Sequence, residues 1–329
     1  MPAAALIITK TGEMEVVTER CSAPVTTFPL FAGVGRTASM LDEELLILGD
    51  DYLGTRRQYI SIQKPRDGLL AMKYTIHDFP LRQAAHQQTS LVSGNTLSVL
   101  GGKLKSRGKF SKFVWTELSL KWEDGSEFIP DFISACAVKL EIDVHIVFGG
   151  ERQGNKGETN SGRQVFKINT TEEVVYELSP MTLGRISHGC QVLNKGVVLV
   201  SGGLAKKGQD SAKVLQDELY FVDSQEHPEV LGLQQSLRRF QHVLVRIGEK
   251  VLALGGLDSN NNAPNKIEEF NPTSKSWTKY RDELHSKETS EIIFTPYPAS
   301  SLDISCGSSC QCGKTPNRRI FGGSEAKVR

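Results

Sequence analysis

An apolar, strand-like run that ends in a pair of glycines returns along this chain at a nearly constant step, and this limits the fold more than any other feature. The run is read at Leu97 to Gly102, His145 to Gly150, Val198 to Gly203 and Leu252 to Gly256, with Leu45 to Asp50 as a degraded copy. The leading glycines fall at 49, 101, 149, 202 and 255, so the steps are 52, 48, 53 and 53 residues. Scattered turns do not keep such a period. A unit of this size cannot bury its own apolar surface and folds only with copies stacked beside it.

Each run is joined by a short turn to an apolar run before it, as at Leu91-Val92-Ser93-Gly94-Asn95-Thr96 and Val245-Arg246-Ile247-Gly248-Glu249-Lys250, so each unit opens with a β-hairpin. Two shorter strands follow, most legibly where Phe270 and Trp277 flank the turn at Asn271-Pro272. Four strands per unit make the chain all-β. Arg185-x-x-His188, Arg239-x-x-His242 and the looser Arg82-x-x-x-His86 recur upstream of the hairpins in phase with the repeat, and Arg36 holds the matching place in the first unit. Because architecture repeats in phase, His188 and His242 are expected to serve as structural hydrogen-bonding residues at a blade edge rather than as catalysts.

These features resemble the kelch repeat of β-propellers, over residues 4 to 296. The resemblance implies a ring of blades. The ends imply its closure: Ala4 to Thr9, Met14 to Glu19 and Pro24 to Pro29 read as the last three strands of a blade, and Ser290 to Thr295 as its first. A six-bladed kelch-type β-propeller with one-plus-three closure is therefore expected over residues 1–298, with no exposed sheet edge at the seam. A monomer is expected.

In its 329 residues the chain carries 39 Lys+Arg against 38 Asp+Glu, a net charge of +1, and so lacks the broad positive field of a nucleic-acid binder. No apolar run approaches the roughly 20 residues of a membrane span. The start, Met1 to Gly12, does not read as a signal peptide, so the chain is expected either to be cytosolic or to lack its true N-terminus. No metalloprotease, phosphate-binding or dinucleotide-binding motif occurs, and neither a catalytic residue nor a cofactor is expected.

Cys21, Cys136 and Cys190 are dispersed, and Cys136 and Cys190 sit in apolar strand-like contexts that suit free thiols acting as small hydrophobes. Cys306, Cys310 and Cys312 crowd together in a spacing foreign to zinc sites, with no histidine nearby, so no metal is expected and disulfide chemistry is. This stretch belongs to an irregular C-terminal tail, residues 299–319, that lacks strand alternation. There Cys312-Gly313, followed by Arg319-Ile320-Phe321-Gly322-Gly323 and Glu325-Ala326, resembles the activation segment of trypsin-like serine protease zymogens, with Phe321 in place of the usual valine. The resemblance implies that an activating protease cleaves between Arg319 and Ile320, that residues 320–329 begin a protease domain whose catalytic part is missing, and that a cysteine at the position of Cys312 bridges to that domain.

The segments after the glycine pairs leave equivalent strands and should emerge on one face. In residues 50–58, 103–112, 151–163, 204–217 and 257–265 they carry 13 Lys+Arg and 7 Asp+Glu, an excess of +6 on a chain of net +1. Lys103, Lys105, Arg107 and Lys109 either solvate a long loop or, with Arg36, Arg82, Arg185 and Arg239, form a face for an anionic protein partner. The function expected is a non-catalytic interaction or regulatory module of a secreted zymogen. A freestanding intracellular kelch scaffold or adaptor is the alternative.

Overall fold

In the computed structural model, the residues described are the strands between 4 and 124, residues 134–153, 159–194, 196–207, 210–213, 216–222, 228–231 and 238–284, and the strand at 292–297. In chain order the strands are β1 (Ala4–Thr9), β2 (Glu13–Thr18) and β3 (Ser22–Thr27); β4 (Thr37–Leu41), β5 (Glu44–Asp50), β6 (Arg57–Gln63) and β7 (Lys73–Asp78); and β8 (Thr89–Ser93), β9 (Thr96–Leu100), β10 (Ser111–Thr116) and β11 (Ser119–Asp124). There follow β12 (Cys136–Lys139), β13 (Val144–Phe148), β14 (Glu151–Gln153), β15 (Thr159–Ser161), β16 (Val165–Asn169) and β17 (Val174–Leu178). Next come β18 (Gly189–Asn194), β19 (Val197–Ser201), β20 (Leu204–Lys207), β21 (Asp210–Lys213), β22 (Asp217–Phe221) and β23 (Glu229–Leu231). The last are β24 (Val243–Ile247), β25 (Lys250–Leu254), β26 (Lys266–Asn271), β27 (Ser276–Glu283) and β28 (Ile292–Tyr297).

The chain is all-β among the described residues, and every strand pairing is antiparallel. Each repeat unit forms one four-stranded sheet: β4 to β7, β8 to β11, β12-β13-β16-β17, β18-β19-β22-β23 and β24 to β27. A further sheet has the order β28-β1-β2-β3, with Ala4 opposite Tyr297 and Thr9 opposite Ile292. β1 coincides with the sequence expectation, and β2, β3 and β28 are offset from it by one or two residues. The first strands of successive sheets lie side by side: β4 against β28 and β8, β12 against β8 and β18, and β24 against β18 and β28.

In the units of β13, β19 and β25 the second strand is sandwiched between neighbouring sheets, which explains its continuous apolar run. Ile146, Val147 and Phe148 of β13, Val198 to Val200 of β19 and Leu252 to Leu254 of β25 are all fully buried. The core therefore lies between sheets. One layer joins Ile146, Phe148 and Val165 of one sheet to Cys190, Val198, Val200 and Tyr220 of the next. A second joins Leu199 and Leu219 to Leu244, Val251 and Phe270. Outer strands such as β17 are half exposed.

Three backbone features repeat at these joints. Both glycines of the three described pairs have positive φ: 58° and 96° at Gly149 and Gly150, 59° and 91° at Gly202 and Gly203, 61° and 81° at Gly255 and Gly256. The second glycine donates its N–H to the neighbouring sheet, Gly150 to the carbonyl of Arg185 at 2.9 Å and Gly203 to that of Arg239 at 3.0 Å. A Cβ on Gly202 would stand 2.2 Å from the Arg239 carbonyl oxygen, so only glycine fits. Finally, Ser134, Ser187 and Gln241 share a φ of 54° to 58°, and their backbones link the sheets in series, Ser187 N–H to Ser134 O at 2.9 Å and Gln241 N–H to Ser187 O at 2.8 Å.

Two expectations need correction. Cys136 of β12 and Cys190 of β18 are not free thiols but a disulfide between neighbouring sheets, with Cα atoms 6.0 Å apart. The segments after two of the glycine pairs are not plain loops either. They fold into the hairpins β14-β15 and β20-β21, which join through Asn160 and Lys207 into a seventh four-stranded sheet, β14-β15-β20-β21.

Candidate functional site

The in-phase arginines were expected on the interaction face, and the structure turns Arg185 and Arg239 inward. Both are 0% exposed. Arg185 donates to the carbonyls of Gly202 (3.0 Å) and Gln216 (2.6 Å) and faces the Glu218 carboxylate at 3.6 Å. Arg239 donates to the Gly255 carbonyl at 3.0 Å, to the Lys266 carbonyl, and to Glu268 at 3.2 Å. Each guanidinium thus binds the leading glycine of its own sheet, which is left with its carbonyl turned inward by the positive φ, and ties it to the third strand. A planar five-donor fork suits that task where an ammonium would not. Burial lowers the pKa of both arginines against the pull of the facing glutamates, and burial raises that of Glu218.

Glu218 and Glu268 escaped the sequence reading. Strand register reveals them: Glu218 lies opposite Val200 and Glu268 opposite Ala253, each two residues before its glycine pair. At the same register stand Phe166 opposite Val147, Ile60 opposite Ile47 and Ser111 opposite Val99. The unit with Phe166 has Phe132 at the arginine position of the sequence, so both members of the ion pair are replaced together. The units of Arg36 and Arg82 have no carboxylate at that register.

His188 and His242 are buried and take the place beside the glycine pairs. A Cβ on Gly256 would lie 2.8 Å from Cβ of His242, and one on Gly203 would lie 2.7 Å from Cβ of His188. Structural hydrogen bonds were expected, and among the described residues neither imidazole has a partner; both rings pack against the backbone of the joints. Burial, then Arg185 and His242 beside it, brings His188 down to about 3, and burial with Arg239 brings His242 to about 3. Both rings are neutral and unfit for proton transfer near neutral pH. Asp217, its pKa raised by burial, accepts the Gly202 N–H at 3.1 Å and the Trp277 indole N–H of the next sheet at 2.7 Å.

Beyond two of the glycine pairs lie the hairpins of the accessory sheet. There Ser161 Oγ accepts the Lys206 N–H at 3.1 Å and Lys206 pairs with Glu151 at 2.7 Å, which locks the two hairpins of neighbouring units together. Lys207 is exposed. Arg36, Arg82, Lys103, Lys105, Arg107, Lys109, Cys306, Cys310, Cys312, Arg319 and Ile320 lie outside the described residues. Among the described residues no three His, Cys, Asp or Glu side chains gather as a metal site.

The Kelch motif family model matches residues 238–282, the unit of β24 to β27. The solved structure of YjhT superposes on 85% of this chain and 97% of its own with a TM-score of 0.65, at 12% sequence identity. At that identity the likeness concerns the fold alone, and the fold is a kelch-type β-propeller. No curated protein matches the sequence significantly.

Proposed function

We propose that this chain is a protein-interaction module, a six-bladed propeller closed by β28 on β1, whose binding face is built from the segments after the glycine pairs. The observation that carries this reading is the inward turn of the repeating polar residues. Arg185, Arg239, His188 and His242 are consumed by the joints between blades, so recognition falls to the segments that vary from unit to unit and carry the excess of +6. The partner that fits is anionic. We assign Arg36 and Arg82 to that face as well, on the ground that their units carry Ile60 and Ser111 at the register where Arg185 and Arg239 have a glutamate.

The test is retention on a poly-glutamate column at low salt, which should fall as salt screens exposed charges over about 8 Å near physiological ionic strength. Changing Lys103, Lys105, Arg107 and Lys109 together to Ser should release the protein at lower salt. An unchanged elution point returns these residues to the role of loop solvation.

The Cys136–Cys190 disulfide favours an oxidising compartment, and with it the secreted context in which Arg319-Ile320 is an activation bond of a larger zymogen. Alkylation of the freshly extracted protein separates this from an intracellular scaffold. Both thiols blocked in the secreted context, or both alkylated in the intracellular one, are the opposed outcomes. Proteolysis of the full-length protein between Arg319 and Ile320 should leave its two parts joined until reductant is added.

A further inference from the structure

The accessory sheet β14-β15-β20-β21 ends in strands that no described residue pairs on their outer sides. Of the two edges, β14 has three residues and β21 four, Asp210 to Lys213. The hairpin of β21 is closed by two residues, 208 and 209, with Lys207 opposite Asp210, Lys206 opposite Ser211, Ala205 opposite Ala212 and Leu204 opposite Lys213. In a two-residue hairpin the pair flanking the turn is hydrogen-bonded and the bonded pairs alternate from there. Asp210 and Ala212 therefore bond to β20, while Ser211 and Lys213 direct their N–H and C=O groups outward.

We propose that the β21 edge is a docking site for an extended acidic segment of a partner protein, which adds to the accessory sheet as a fifth strand. The inference deepens the interaction reading and rests on the same face. Main-chain bonds to Ser211 and Lys213 supply the pairing. Charge selects the partner: the four strands hold Arg152, Lys206, Lys207 and Lys213 against Glu151 and Asp210. The one described ion pair among them uses Lys206 and Glu151 on the far side of the hairpin from the open edge.

The probe is a fluorescent eight-residue peptide of alternating glutamate and valine, titrated by anisotropy into the full chain at low salt. Ser211→Pro removes an outward N–H without touching a bond to β20, so it should leave the melting temperature unchanged and weaken the peptide at least tenfold. Lys207→Glu with Lys213→Glu should weaken it to a similar degree, and this surface variant reports on the site even if Ser211→Pro folds poorly. Amide exchange at Ser211 and Lys213 should slow when the peptide is added. Equal binding of a lysine-valine peptide, or undiminished binding to Ser211→Pro, overturns the proposal. A dimer in sedimentation that Ser211→Pro dissolves also overturns it, since the edge would then belong to a second copy. If poly-glutamate retention is lost on the Lys103 to Lys109 variant while peptide docking is absent, the interaction face stands and the strand docking fails.

Discussion

At the residue scale, a buried ion pair such as Arg239 with Glu268, 0% and 4% exposed, has little net worth, yet breaking it is costly. Arg239→Met strands the carboxylate and two carbonyls and should destabilise the protein by about 3–5 kcal/mol in urea melts. Adding Glu268→Leu should recover most of that loss, as the unit with Phe166 already manages without charges. A double variant as unstable as the single one would assign the damage to the carbonyls instead. The histidines set the acid limit. His188 and His242 at about 3 and His145 at about 4 lie below the unfolded value of 6.5, so the unfolded chain takes up protons first. Their contribution is complete above 6.5 and declines as the pH falls toward those values, by about 1.4 kcal/mol per pH unit for each ring. The raised carboxyls of Asp217 and Glu218 act with the opposite sign and offset part of it. Near His145 stand Lys139, which lowers its pKa, and Asp143, which raises it. His145→Phe should move the acid-unfolding midpoint downward, and a fixed midpoint would clear His145 of any part in acid sensitivity.

At the scale of the element, legibility follows burial. The strands β13, β19 and β25 were plain in the sequence because burial on both faces demands an unbroken apolar run before the glycines. The hairpins β14-β15 and β20-β21 were not, since Glu151-Arg152-Gln153 and Leu204-Ala205-Lys206-Lys207 pair mainly with the other strand of their own hairpin and bear no core-facing alternation. Glu218 was hidden by the inserted hairpin β20-β21 and Glu268 by the strand-free segment between β25 and β26, which put them 33 and 29 residues after their arginines. The disulfide leaves a trace in the sequence. Cys136 lies opposite Phe148 and Gly189 opposite Ser201, each partner just before a glycine pair, so Cys190 is one residue beyond the equivalent of Cys136. Successive side chains point to opposite faces, and a spacing of one repeat plus one residue turns the two sulfurs toward each other. Closing 54 residues constrains the unfolded chain by about 4 kcal/mol in the loop-entropy account. Cys136→Ala with Cys190→Ala should lower the urea midpoint accordingly, and reductant should lower that of the parent but not of the variant.

At the scale of the whole molecule, β28 is the piece on which the ring reading depends. It pairs with β1 along six residues and lies against β4 and β24. Deleting residues 290–297 would expose both the edge of β1 and the flanks of two neighbours, so the protein should lose its single cooperative transition or aggregate. A truncated form that melts like the parent would refute the six-bladed closure. The joints between blades are also of two chemical kinds. Where Arg185 and Arg239 meet glutamates, the penalty for removing charges from water falls as temperature rises. Where Phe166 packs with Val147, Leu91 and Ile168, the joint draws on apolar burial, which weakens on cooling. The two kinds of seam should therefore fail at opposite ends of the thermometer: chilling under mild denaturant should first open the seam beside Phe166, where amide exchange would speed up, while the charged seams hold.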